Sequence, residues 1–295
     1  MENKISSLKD AKFVIFDQLR VEELCESERF QEHSRETFEM VINEAERLAI
    51  NELAPVNSEG DHAGCIWKDG KVKVPEFFHG PYKKIGEGGW ISATGDYEVG
   101  GQQLPNSVYH VCSEMFYGSN LSLLGYVGLT HSAAKCLEVY GTDEQKKKYM
   151  LPLYEGRYSG TMDLTEPQAG SDVGAVRTKA VKNEDGTYSI TGQKLLITGG
   201  EHDLSENIIH IVLARIEGAP EGTKGLSCFV VPRTRINNDG SLGEDNNIYC
   251  TNIERKMGMK GLGNLWTQFR RKWKMYRRAP GRGTKRHYGY VSHDE

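Results

Sequence analysis

The stretch best suited to chemistry runs Thr-Glu-Pro-Gln-Ala-Gly-Ser-Asp, from Thr165 to Asp172. Pro167 stiffens a bend, and the small residues after it leave backbone N–H groups and the hydroxyls of Thr165 and Ser171 accessible. Such a bend can hold an anion or the polar rim of a flat cofactor without a steric cost. An ordinary turn uses the same residue types, so type alone leaves both readings open. Thirty residues later, Leu195-Leu196-Ile197-Thr198-Gly199-Gly200 ends a strand-like run with a further hydroxyl and a glycine pair. Read alone, that is the end of a hairpin.

The other polar candidates point to packing. His131 falls in a helical stretch and reads as a packed or capping residue. His202-Asp203 reads as a loop salt bridge, and His62 beside Asp61 lacks the further ligands a metal needs. No GxSxG, P-loop or GxGxxG element occurs, and Gly86–Gly89 follows no clear strand and reads as a turn.

These residues must be positioned by a chain of 295 residues, 38% hydrophobic and 26% charged, enough for one large domain or two ordinary ones. No apolar run approaches the ~20 residues of a membrane-spanning helix. The start, MENKISSLKD, lacks an apolar signal core, and six cysteines are scattered without a CxxC pair. Both features lead us to expect a cytoplasmic protein with reduced thiols. The net charge of −4 conceals an asymmetry: residues 262–295 carry nine Lys/Arg against two acidic residues, and the rest carries 28 against 39.

Phe38, Val41, Ile42, Ala45, Leu48 and Ala49 form one helical apolar stripe, expected to stop near Ala54–Pro55, with a loop over Asn57–Gly64. Lys68–Gly70 reads as a turn. Pro105–Tyr140 reads as helical, Gly141 ends that run, and Thr142 caps the next helix. Beyond Gly156 the pattern changes: Asp185–Gly186 is a hairpin turn, and Ile208–Ile216 and Leu226–Val231 are strands rich in β-branched residues. Helices followed by strands, without βαβ alternation, predict segregated α and β domains, an α+β fold.

Spaced as they are, TEPQAGSD and GQKLLITGG resemble the two flavin-contacting segments of the acyl-CoA dehydrogenases. The resemblance runs from about Phe30 to Gly261. It includes YEVGGQQLP (Tyr97–Pro105), the stretch Gly128–Gly156, and ERKMGMKG (Glu254–Gly261). The N-terminal stretch and GGEHDLSENIIH (Gly199–His210) are similar to the larger bacterial subgroup that includes methylmercaptopropionyl-CoA dehydrogenases.

The resemblance implies an N-terminal all-helical domain (1–155), a middle β-barrel domain (156–261) and a C-terminal four-helix bundle. It implies FAD as cofactor, an acyl-CoA substrate, electron-transfer flavoprotein or a similar acceptor, and a homo-oligomer. By the same resemblance, Thr165 bonds the N1/O2 edge of the isoalloxazine ring and Thr198 reaches N5. The backbone at Met162–Leu164 lines the ring, and Gly170, Ile197 and Ser171 lie at the cofactor, Ser171 near the cofactor or acyl-CoA phosphates. Leu196 stands where many relatives carry a tryptophan and offers apolar cover without stacking. The implied reaction is α,β-desaturation by a glutamate base and the flavin; no stretch after Gly261 matches that base, and no metal is implied. An acyl-CoA oxidase or monooxygenase on the same scaffold is an alternative.

Residues 262–295 read as a basic non-family tail. Interleaved Arg, Lys, Trp and Tyr would suit nucleic acid in a non-catalytic binding module, the alternative from another class. The genetic code offers a different account. Read one base forward, the codons for Leu262–Phe269 permit S-A-T-C-G-L-N-F, and those for Arg270–Arg282 permit GENGKCIGELLGE. That string resembles the family's continuation, so we expect a frameshift after Gly261, disorder in the tail, and a chain inactive by itself.

Overall fold

The computed structural model describes residues 5–269. Helix α1 is Leu8–Lys12 and α2 is Arg35–Leu48, whose buried stripe of Phe38, Ile42, Ala45 and Leu48 follows the predicted helical spacing. The expected stop at Pro55 does not occur. A wide turn at Ala49–Leu53 and a tight one at Ala54–Val56 carry the chain into α3, Asn57–Ala63. Pro55 sits in the first turn of the new segment, where no N–H is needed. Within α3, a Cβ on Gly60 would lie 2.4 Å from the Phe78 ring, so the glycine that looked like a loop residue is a packing residue.

Helix α4 is His79–Glu87, α5 is Asn106–Ser119, and α6 is Leu121–Tyr140. The α6 helix is buried along most of its length because the other helices cover one side and the sheet covers the other. Thr142 closes a capping box with Gln145, as its type predicts.

Strands β1 (Ile66–Lys68) and β2 (Lys71–Lys73) form a small hairpin turned by Asp69 and Gly70, both at positive φ. The main strands are β3 (Tyr158–Asp163), β4 (Lys179–Lys182), β5 (Tyr188–Thr198), β6 (Asn207–Ile216) and β7 (Leu226–Pro232). Strands β8 (Thr234–Ile236) and β9 (Leu242–Asp245) make a side ribbon, and β10 (Ile248–Ile253) and β11 (Asn264–Phe269) complete the main sheet. That sheet has the order β10-β11-β5-β4-β6-β3, with β7 also on β6, an open half-barrel. Along β6 both faces are covered. Ile209, Ile211 and Leu213 join a core shared with the helices, while Val212 and Ala214 join Phe229, Val231, Ile248 and Phe269 in a second core. A strand packed on both sides reads as a continuous apolar run, and IIHIVL is one.

The sheet does not end at Gly261, where the sequence suggested a break. Strand β11 pairs antiparallel with both β10 and β5, and its alternate residues Leu265, Thr267 and Phe269 are buried. The shifted reading places Cys, Leu and Phe at those same inward positions, so either string satisfies the two-residue alternation of a strand. That shared pattern is why a boundary drawn from composition fell short. The basic stretch 270–295 lies outside the described residues. Among those described, no helix is long and apolar enough to cross a membrane.

Candidate functional site

Strand β3 brings the chain to the first bend. Glu166 N donates to Ala169 O (2.7 Å) and Ala169 N donates to Glu166 O (3.0 Å), with Pro167 and Gln168 at the corners. The second bend ends β5. Two hydrogen bonds fasten the bends side by side: Leu195 N donates to Thr165 O (2.8 Å), and Thr161 Oγ1 donates to Thr198 O (2.7 Å). The spacing of about thirty residues is thereby closed in space.

Strand β5 carries a bulge at this point. Lys194 lies opposite Thr267 and Ile197 opposite Leu265, so Leu195 and Leu196 together face the single residue Trp266. The extra residue puts Leu196 at φ 58°, left-handed, with its side chain 50% exposed, whereas Ile197 is buried. A left-handed Leu costs about 1–2 kcal/mol. Ile197 therefore offers only backbone to the outside, and Leu196 presents the apolar surface.

Thr165 and Thr198 are both half-buried. Among the described residues the Thr165 hydroxyl has no hydrogen-bond partner, while Thr198 Oγ1 donates to Asn264 Oδ1 (3.1 Å) on β11. Gly199, at φ 65°, lets the chain turn away beneath the Tyr126 ring, 3.1 Å from where its Cβ would be. The buried Tyr126 hydroxyl donates to Gly261 O (3.1 Å) and accepts from Gly263 N (2.9 Å), tying α6 to the segment that leads into Asn264. Burial, and then the nearby Cys65, push that phenol well above its ordinary range.

Behind the first bend lies a buried charge cluster. Lys194 Nζ donates to Leu164 O and to Glu166 Oε1, each at 2.9 Å, with both side chains almost wholly buried. Glu166 also accepts from Gln168 Nε2 (2.7 Å), Arg177 N (2.8 Å), Thr178 N (3.0 Å) and Thr178 Oγ1 (2.5 Å). Burial works to raise the Glu166 carboxyl, but these donors and the Lys194 ammonium outweigh it and bring it down to about 2. Burial lowers the Lys194 ammonium. Beside them Asp163 and His210 are fully buried and in contact, with Nδ1 3.1 Å from Oδ2.

The structure thus brings together Met162, Leu164, Thr165, Leu196, Ile197 and Thr198. Gly170 stays close to Thr165, its would-be Cβ 3.6 Å from the Thr165 methyl. Ser171 is exposed and makes no hydrogen bond among the described residues. His131 packs as expected, Nδ1 2.8 Å from Ile91 O. His202-Asp203 is not an ion pair. The His202 ring is buried and its Nδ1 accepts from Leu204 N, while Asp203 accepts from Val74 N and faces His79. Burial and then the Arg233 charge pull His202 down to about 3, so it is neutral. No cluster of three or more potential metal ligands occurs among the described residues. A cavity of about 510 Å³ lies along Cys65, Trp67 and Glu254–Lys256 and includes none of the bend residues.

The family model for the acyl-CoA dehydrogenase N-terminal domain matches residues 35–157, and the model for the acyl-CoA dehydrogenase middle domain matches residues 161–271. The chain belongs to the acyl-CoA dehydrogenase family. Members of this family are oxidoreductases acting on CH–CH donors. The chain is 42% identical over 219 residues to 3-methylmercaptopropionyl-CoA dehydrogenase of Ruegeria pomeroyi, covering 74% of this chain and 37% of the relative. It is 39% identical to the broad-specificity linear acyl-CoA dehydrogenase FadE5 of Mycobacterium tuberculosis, covering 88% and 43%. Among solved structures, butyryl-CoA dehydrogenase from Megasphaera elsdenii superposes with a TM-score of 0.65 at 26% identity, covering 81% and 56%. The chain spans less than half the length of these curated relatives.

Sequence reasoning missed three features of this candidate site. Asn264 was set apart with the tail, though it pairs with Thr198. The Lys194–Glu166 pair was overlooked because charged residues read as solvated. The left-handed Leu196 arises from a bulge against β11, which only tertiary pairing creates.

Proposed function

We propose that this chain is the N-terminal and middle part of an FAD-dependent acyl-CoA dehydrogenase, which converts an acyl-CoA thioester into its enoyl-CoA. One observation carries the reading: the two bends lie fastened together, the first with a Thr165 hydroxyl that has no partner among the described residues and the second with a half-exposed apolar side chain at Leu196. That set fits a planar ring with a polar rim and an apolar face. A bound FAD supplies the two-electron acceptor for the substrate's β-hydride.

The chain's own residues bind and orient. Thr165 offers its hydroxyl to the ring rim. The Thr198 hydroxyl, whose hydrogen is held by Asn264 in the chain alone, would release it to serve N5, which accepts in the oxidised ring. Leu196 covers the apolar face and excludes water, the backbone of Met162–Leu164 and Ile197 lines the edge, and Gly170 gives clearance beside Thr165. Ser171 is placed for a phosphate of the cofactor or of acyl-CoA. The α-proton is taken by the family's glutamate, which belongs to the C-terminal domain, outside the matched residues. The electron acceptor is electron-transfer flavoprotein or a protein like it, the whole enzyme is a homo-oligomer, and its place is the cytoplasm.

Titration of the purified 295-residue chain with FAD, followed by flavin fluorescence, tests the site. Binding should weaken at least tenfold in Thr165→Val and Thr198→Val; equal affinity in the variants refutes the assignment. The chain alone should hold FAD weakly and show no turnover with acyl-CoA and electron-transfer flavoprotein. A yellow monomer that turns over would contradict the assignment of the base to the family's C-terminal domain.

A further inference from the structure

We propose that the buried Lys194–Glu166 pair is a positioning pair that sets the distance between the two bends, and through them the Thr165–Thr198 grip on the ring rim. The inference rests on the flavin reading of those bends and extends it to residues that touch no part of the ring.

The geometry is specific. Lys194 belongs to the second bend's strand and Glu166 to the first bend, so the pair spans the two flavin segments. The ammonium bonds two groups of the first segment at once, the Leu164 carbonyl and the Glu166 carboxylate, each at 2.9 Å. Leu164 and Glu166 flank Thr165, so the bonds hold that residue from both sides. On the other strand, Leu195, next to Lys194, donates its N–H to Thr165 O. Three hydrogen bonds thus converge on a three-residue stretch, and Thr198 lies four residues beyond Lys194 on the same strand.

Glu166 is also anchored from beneath by Thr178 and the Arg177 amide. Thr178 can approach only because position 192 is glycine: a Cβ there would meet Thr178 Oγ1 at 2.3 Å. Sequence and packing therefore agree on an ion pair fixed in one place. A buried ion pair is an inefficient source of stability, since desolvation cancels most of the attraction, but removal of one partner leaves a directional defect. Such a pair is suited to specifying geometry.

The test compares Lys194→Met, Glu166→Gln and a control, Leu48→Ala, in the helical core far from the bends. Three quantities are measured on the full chain: thermal midpoint, hydrogen exchange at the Leu195 amide, and FAD affinity. Lys194→Met should speed Leu195 exchange and weaken FAD binding, each at least tenfold. Glu166→Gln, which keeps the shape and most hydrogen bonds, should give smaller changes in the same direction. At a matched fall in thermal midpoint, Leu48→Ala should change neither quantity as much. If the control moves both equally, or if Lys194→Met leaves Leu195 exchange unchanged, the positioning role is refuted. If Lys194→Met does not fold, Glu166→Gln decides by the same criteria. If the unaltered chain binds no FAD, the flavin reading fails, while Leu195 exchange still reports separately on whether the pair holds the bends.

Discussion

The left-handed Leu196 allows a sharp test of the bulge, because the Ala and Gly variants at one position differ only in backbone freedom. Leu196 is half exposed. Full burial of a Leu side chain stabilises by about 1.5–3 kcal/mol, so truncation to Ala should cost about 1 kcal/mol. In an ordinary strand, a further change from Ala to Gly would cost roughly 0.5–1 kcal/mol more. At φ 58° the sign reverses. Ala retains a left-handed strain of about 1–2 kcal/mol and Gly has none, so Leu196→Gly should be more stable than Leu196→Ala by about 1 kcal/mol. With a urea slope of about 3 kcal/mol per molar for a chain of this size, the Gly variant's midpoint should lie about 0.3 M higher. Tryptophan fluorescence during urea unfolding reads that midpoint, provided the slopes match. A Gly variant equal to or below the Ala variant would mean that position 196 is an unstrained strand residue and that the bulge is misplaced.

Thr267 is buried, and its hydroxyl has no partner among the described residues. Thr267→Val, of the same shape, should raise stability by about 1 kcal/mol, and a loss in the same urea assay would show a hidden partner. Gly192→Ala should destabilise by roughly 1–3 kcal/mol through its clash with Thr178; a change below about 0.5 kcal/mol would show that Thr178 can yield. His202 is held neutral down to about pH 3 in the folded chain, while its unfolded form takes a proton near pH 6.5. Its contribution to stability is therefore complete above 6.5 and falls by up to about 1.4 kcal/mol per pH unit between 6.5 and 3. His202→Phe should unfold with a shallower dependence on pH, measured as urea midpoints at pH 7, 6 and 5, and parallel curves would contradict the neutral ring.

Much of the fold was legible because its signals are local. The apolar stripe of α2, the Thr142 cap, the Asp185–Gly186 turn and the two-sided β6 strand each follow from spacing or turn chemistry within a few residues. The misreadings share a tertiary cause. Gly60 looked like a loop residue because its reason, the Phe78 ring, is 18 positions away. The sheet's end was misplaced because composition changed at Leu262 while the two-residue alternation did not. At the site, Thr165 and Thr198 could be picked out by type, but the contacts that join them run from Thr161 and Leu195, which look unremarkable in sequence. Buried charge was the least visible feature, since nothing near Lys194 or Glu166 announces a partner 28 residues off.

Helix α6 and strand β3 meet so closely that a Cβ on Gly160 would lie 2.4 Å from the Ala133 methyl, and one apolar interior continues from the helices through β6 and β7. The family boundary near residue 157 is thus a seam in sequence with no matching seam in the packing. A chimera joined there would need both halves to be shaped for each other, and a protease nick at Gly156 would leave two pieces still bound by their common interior. Recombination between distant relatives should succeed only where the recipient helix carries an equally small residue opposite Gly160.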